Sequence, residues 1–143
     1  MTNSEHKGRS STLSVLWVFA ILNIVFRDIH EFTTATTINE ILSGRLNGNV
    51  ITEEVLFYGA FAVELLLLGF LLSALLPPRH ARTANLILAP LALLGGFLVP
   101  PGDLDDYFFA TVVSLTYIAI FVLAWTWRPQ AGLHNARGAN HAT

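Results

Sequence analysis

The chain has 143 residues, 53% of them hydrophobic and 13% charged, with a mean hydropathy of +0.56. That balance excludes an ordinary soluble domain and predicts an all-α polytopic membrane protein with a single helical bundle. Cysteine is absent, which excludes disulfides, thiolate metal sites, iron–sulfur ligation and dithiol chemistry; the net charge of −2 informs only through its distribution.

Residues 1–12 are polar, rich in small side chains and aperiodic, the pattern of a flexible tail. The first apolar segment, Leu13–Phe32, is too long for a signal-peptide core and ends in Arg27-Asp28-Ile29-His30-Glu31, so it is expected to remain as a membrane helix. The following loop, Thr33–Thr52, is the longest. Its Thr37-Ile-Asn-Glu40 has the form of a capping box, Ile38, Ile41 and Leu42 supply an apolar face, and Gly44 can end the turn. A short amphipathic helix on the outer membrane surface is one reading of this loop, and an ordinary connector packed on the bundle rim is the other. Asn47-Gly48 marks a turn before the second span.

The second segment, Val55–Leu76, is a 22-residue run whose only charge is Glu64. At ~1.5 Å per residue it is roughly 33 Å long, enough to cross a bilayer core. A carboxylate at that depth costs roughly 2.5–3.5 kcal/mol on insertion scales and calls for a partner. The third segment, Ala84–Val99, is short and holds Pro90, which predicts a kinked span. The fourth is Tyr107–Trp127. Thr52 with Glu53 and Glu54, and Asp103 with Asp106, read as caps and helix-dipole partners at the starts of spans two and four. Pro77-Pro78 and Pro100-Pro101-Gly102 end spans two and three in tight connections. Gly69 with Ser73, and Ala92 with Gly96, are small-xxx-small pairs that permit close helix approach. Trp17, Trp125 and Trp127 fall near one set of ends, as interfacial anchors do. Residues 129–143 form a second polar tail, where His134 and His141 read as solvated residues and no metal site is expected.

Charge sets the expected orientation. Lys7, Arg9, Arg79, Arg82, Arg128 and Arg137 all lie on segments that four spans would place on one side. The opposite loops hold Arg45 as their only basic residue, against Glu40, Glu53, Glu54, Asp103 and Asp105. The positive-inside rule makes the first side cytoplasmic, with both termini there, in a cell membrane such as the bacterial inner membrane. The expected organisation is a tail over 1–12, a four-helix transmembrane domain over 13–128 and a tail over 129–143.

Asn23, Arg27, His30 and Glu31 share one face of the first helix, and Asp28 points roughly 100° from Arg27. By helix rise Asn23 lies about 15 Å, Arg27 about 21 Å and Glu64 about 18 Å above the cytoplasmic boundary. Glu64 is therefore expected to contact Asn23, Arg27 or Asp28. One reading is an outward-opening polar pocket in which Glu64, kept neutral by burial, Asp28 and His30 do acid–base chemistry. Asn23, Arg27, Glu31, Tyr58, Tyr107 and Thr111 would bind a lipophilic molecule there, such as an isoprenoid or quinone. The other reading is a non-catalytic membrane subunit or scaffold whose buried charges only stabilise the bundle. Proton-coupled transport would require a homo-oligomer, because one protomer of this size is too small for a path. Phosphate-loop, nucleophile-elbow and HExxH motifs are missing; no cofactor and no nucleic-acid partner is expected, and a lone His30 does not make a bis-histidine haem site.

The stretch LSVLWVFAILNIVFRDI from Leu13 to Ile29, with Tyr107-Phe-Phe-Ala-Thr111 and Trp125-Thr-Trp127, resembles an uncharacterised family of small four-helix bacterial membrane proteins, DoxX-like in size and layout. In that pattern Asn23, Asp28 and Glu64 occupy the polar positions and Arg27 and His30 do not, which adds weight to Asp28. The resemblance implies a fold and a membrane location and no particular activity.

Overall fold

A computed structural model describes residues 3–46, 48–98 and 101–128. The expectations for residues 129–143, His134 and His141 among them, lie outside the described residues. Five helices account for most of the chain: α1 (Asn3–Glu31), α2 (Ala35–Leu42), α3 (Glu53–Leu75), α4 (Pro78–Gly96) and α5 (Leu104–Thr126). Between α2 and α3 runs a minimal antiparallel hairpin of β1 (Arg45–Leu46) and β2 (Asn49–Val50), with Arg45 opposite Val50 and Leu46 opposite Asn49. Gly48 in its turn has φ +77°, a left-handed conformation that Asn-Gly turns supply at little steric cost.

Three helices, α1, α3 and α5, are long and apolar enough to cross a membrane. The third expected segment does form a helix, running from Pro78 through Pro90 to Gly96, but it is not among those three. The reason is its opening, where Arg79, His80 and Arg82 crowd the first turns and Asn85 follows within the apolar part. Helix starts follow the caps read from sequence. Thr52 accepts from the Val55 amide at 3.3 Å, and Asp103 accepts from the Asp106 amide at 3.1 Å. In α2 the cap is one residue turn earlier than expected, at Thr34, whose hydroxyl accepts from the Thr37 amide. The apolar residues of α2, Ile38, Ile41 and Leu42, are all exposed.

Residues 3–12, read as a tail, are instead the first turns of α1. Their own sequence is a poor helix signal, and tertiary contacts decide the matter. The Ser10 hydroxyl donates to the Ser73 carbonyl, Arg9 reaches the end of α5, and the Trp127 indole donates to His6 Nδ1 at 3.1 Å.

α1 and α4 sit diagonally, each packed against both α3 and α5. The centre is built from small residues around a few large ones. Leu13, Trp17 and Ala20 line the inner face of α1, and Ala81, Asn85, Ala89 and Ala92 form the facing stripe of α4. Gly69 of α3 lets the Trp17 ring lie directly against its backbone, since a Cβ there would come within 2.5 Å of Trp17 Cε2. Trp17 is thus a core residue and not an interfacial anchor, and Trp127 is equally buried. Trp125, 65% exposed, alone of the three keeps an outward position. Of the small-residue pairs, Gly69 and Ser73 are buried at a helix contact, whereas Gly96 faces open space.

Overpacking a filled site typically costs about 1–3 kcal/mol. Gly69→Ala should therefore lower the melting temperature in detergent. Gly95→Ala, where an added Cβ meets nothing within 4 Å, should leave it unchanged or raise it. Equal behaviour of the two variants in a thermal melt would contradict the close Trp17–Gly69 contact.

Candidate functional site

Two polar clusters lie between the helices, one at the centre of the packing and one where α1 ends and α5 begins. The first is centred on Asn85. Its Oδ1 accepts from the Trp17 indole at 2.7 Å, and its amide donates to the Ser73 hydroxyl and to the Ala81 carbonyl, each at 2.8 Å. An indole N–H only donates, which fixes the orientation of the amide. Ser73 lies within hydrogen-bond reach of both the Gly69 carbonyl, at 2.7 Å, and Asn85 Oδ1, at 3.1 Å. Tyr117 of α5 packs on Trp17 with ring centroids 5.7 Å apart. One tryptophan therefore touches all three of its partner helices.

The second cluster joins α1 to α5. Arg27 Nε donates to Asp106 Oδ1 at 2.7 Å, and its Nη2 lies 3.0 Å from Glu31 Oε1 one helical turn on. Asp106 Oδ2 accepts from the Gly102 amide at 2.9 Å, so the same carboxylate pins the turn that enters α5. The Arg27 and Asp106 side chains are 20% and 8% exposed, which makes this a largely sequestered pair. Beside it, His30 Nε2 lies 3.1 Å from Asp105 Oδ2, but both side chains are well exposed.

Several of the expected site residues are brought together and others are not. Arg27 and Glu31 meet, with His30 on the neighbouring rim. Asn23 spends its amide on the Phe19 carbonyl of its own helix, and among the described residues Asp28 has no side-chain hydrogen bond to the others of the set. Tyr58 is 69% exposed on the outside of α3. Tyr107 and Thr111 line a shallow open depression on α5 with Leu104, Asp105, Phe108 and Val112.

Glu64 corrects the sequence expectation most. It is exposed, and it makes no hydrogen bond or ion pair with Asn23, Arg27 or Asp28. The depth matched but the direction did not: nine residues separate Glu64 from buried Ser73, a rotation of about 180° around the helix. Gly69 and Ser73 face the bundle, so Glu64 faces away from it. Arg27 takes Asp106 instead, a residue legible from sequence only as part of a helix cap. Asn85, Tyr117 and Ser10 were not singled out at all. The signal for Asn85 was present, as an amide inside the apolar run of α4.

Among the described residues no buried side-chain nitrogen or oxygen lacks a hydrogen-bond partner, and no group of three or more His, Asp or Glu is placed to hold a metal ion. A half-open cleft of about 240 Å³ lies beside Pro90, lined by Ala89, Leu93, Tyr117, Ile118 and Phe121. It exposes no polar surface.

This chain belongs to a family of unknown function, DUF6326, whose sequence model matches residues 2–133. That agrees with the uncharacterised family the sequence resembles. No curated protein and no solved structure matches the chain.

The geometry ranks the polar residues by stability. Removing one partner of a buried pair typically costs about 3–5 kcal/mol and removing one from a surface pair about 0.2–1 kcal/mol. Asp106→Ala should fall between these limits, because Glu31 still compensates Arg27. His30→Ala should fall at or below the lower limit, since its pair is exposed. In monomeric detergent micelles Glu64→Ala should cost less than Leu66→Ala, because Leu66 packs against the core and Glu64 does not. Melting temperatures of the four variants check the order, and a larger loss for Glu64→Ala than for Leu66→Ala would contradict the outward position of Glu64.

Proposed function

We propose that this chain is a four-span protein of the cell membrane with both termini cytoplasmic, acting as a non-catalytic membrane subunit or scaffold. The observation that carries this reading is where the polar groups go. The Asn85 and Arg27 clusters bond one helix to another, and among the described residues every buried side-chain nitrogen and oxygen has a hydrogen-bond partner. Such groups hold helices in register where the hydrophobic effect cannot, because lipid is as apolar as leucine.

Several features support α4 as a fourth crossing. It lies between α3 and α5 and packs against both. Its 19 residues would span about 28 Å, close to the thickness of a bilayer core. Arg79, His80 and Arg82 then sit at the cytoplasmic boundary, where Arg82 donates to the Ala124 carbonyl at 3.1 Å. Arg9 reaches the same helix end, so Arg9, Arg79, His80 and Arg82 gather at one end of the packed helices. Glu31, Asp105 and Asp106 mark the other end, which is the asymmetry the positive-inside rule requires.

Acid–base chemistry on an isoprenoid or quinone is the competing reading. Its central carboxylate, Glu64, is turned away from Asp28, His30 and Arg27, so the proton carriers do not converge. What favours it is the apolar cleft beside Pro90, whose lining suits a hydrocarbon chain.

Two experiments test the proposal. Reporter fusions within residues 44–50 and after residue 128 should report opposite sides of the membrane. The same side for both would mean that α4 does not cross. A triple variant, Arg27→Met, Glu31→Met, Asp106→Asn, removes the charges while keeping an acceptor for the Gly102 amide. A scaffold should tolerate it, since exchanging a buried ionic cluster for apolar groups is often neutral or stabilising. It should accumulate in membranes at the parental level and complement a deletion strain. A stable, membrane-inserted triple variant that fails to complement would assign the cluster a working role and overturn the scaffold reading.

A further inference from the structure

The outer face of α3 is the least ordinary surface of the molecule. Only 6% of its membrane-spanning window is buried, against 22% for α1 and 28% for α5. Phe57, Phe61, Leu68 and Leu71 project from it at exposures of 67%, 61%, 43% and 44%. Spaced by three, four and seven residues around Glu64, they share its side of the helix. Glu64 is the twelfth of the 23 residues of Glu53–Leu75, hence the midpoint of the crossing, about 17 Å from either end. A glutamate side chain is too short to reach water from there. Left against lipid, its carboxyl would stand in hydrocarbon with no partner, the costliest position available to it.

We infer that α3 is the contact surface for a second copy of this chain, packed about a two-fold axis along the membrane normal with Glu64 against Glu64. This rests on the reading that α3 crosses the membrane. The second copy is chosen on chemistry. Two copies inserted with the same orientation and related by that axis bring each residue of the shared face to its own counterpart at the same depth. A carboxyl is self-complementary in that arrangement, because the pair can hold one proton between them in an O–H···O⁻ bond of the charge-assisted kind. A contact to a different face of this chain would not serve. The basic residue in the apolar part of α1, Arg27, is already engaged by Asp106 and Glu31, and the remaining described basic residues lie near the helix ends or in the first loop.

The absence of native cysteine makes the test direct. Phe61→Cys and Leu68→Cys, oxidised in native membranes, should each give a disulfide-linked species of twice the chain mass. Leu91→Cys on α4 and Val122→Cys on α5, both exposed but on other faces, should not. In vesicles, energy transfer between labelled copies should show association of the parent and of Glu64→Gln, whose amide still both donates and accepts. Glu64→Leu should raise the dissociation constant about 3- to 30-fold, the range found for interhelical hydrogen bonds in membranes. Parental affinity in Glu64→Leu, cross-linking to a different protein only, or equal cross-linking from all four positions would overturn the inference. The reporter fusions separate the two failures. Fusions on opposite sides with no α3 cross-link refute the dimer alone, whereas a chain recovered outside the membrane refutes the spanning reading on which it rests.

Discussion

The indole N–H of Trp17, donated across the centre of the molecule to Asn85, is the constraint on which the rest of the packing depends. A buried indole N–H left without an acceptor costs free energy that a small protein cannot spare, and in hydrocarbon no water is at hand to supply one. The acceptor comes from the diagonal helix, so α1 and α4 must approach closely enough for a bond of 2.7 Å. That distance dictates the composition around it. α4 offers alanines at 81, 89 and 92, α3 offers Gly69 and Ser73, and α5 lays the ring of Tyr117 against the indole. Asn85 in turn uses both amide hydrogens, one on Ser73 and one on its own helix, so no part of the network is left open.

The two ends are closed by different electrostatics, each suited to the helix terminus it meets. At the C-terminal end of α5 the last carbonyls have no following helical turn and carry partial negative charge, and the Trp127 amide closes back on the Ala124 carbonyl at 3.3 Å. Arg9 and Arg82, from two other helices, cover Leu123 and Ala124 there. At its N-terminal end the free amides attract carboxylates, and Asp103 and Asp106 supply them. Asp106 does more than cap. By accepting from Gly102 with one oxygen and from Arg27 with the other, it ties the entry of α5 to the last turns of α1.

Hydropathy alone made three long helices legible, since α1, α3 and α5 each hold an apolar run of membrane length bounded by cap residues such as Thr52 and Asp103. What hydropathy cannot carry is direction around a helix. Glu64 and Arg27 lie at matching depth, and depth follows from counting residues, but the inward face of α3 is set by where Gly69 must admit Trp17. The start of α1 was illegible for a related reason. The small and polar residues of 3–12 give a weak local helix signal; the hydrogen bonds of His6, Arg9 and Ser10 to α3 and to the end of α5 decide it. The Arg27 partner was hidden because Asp106 has a sufficient local role as part of the α5 cap, and a residue with one adequate role gives no sign of a second.

The outer surface completes the argument for a lipid environment from an independent side. Phe26, Phe57, Leu98 and Leu104 are between 61% and 87% exposed, and such side chains would be a liability facing water. Facing lipid they cost nothing, and the association of the helices is then left to close contact and to hydrogen bonds. The interior fits that demand, with glycine, alanine and serine at the contacts and satisfied polar groups among them. Against this exterior Glu64 is the single charged side chain at mid-helix depth that points outward among the described residues. With the buried side-chain polar atoms of the described residues all partnered within the protomer, this one is left to be satisfied from outside. The same physics that fixes the inside of the protomer is the ground for the neighbour proposed at α3.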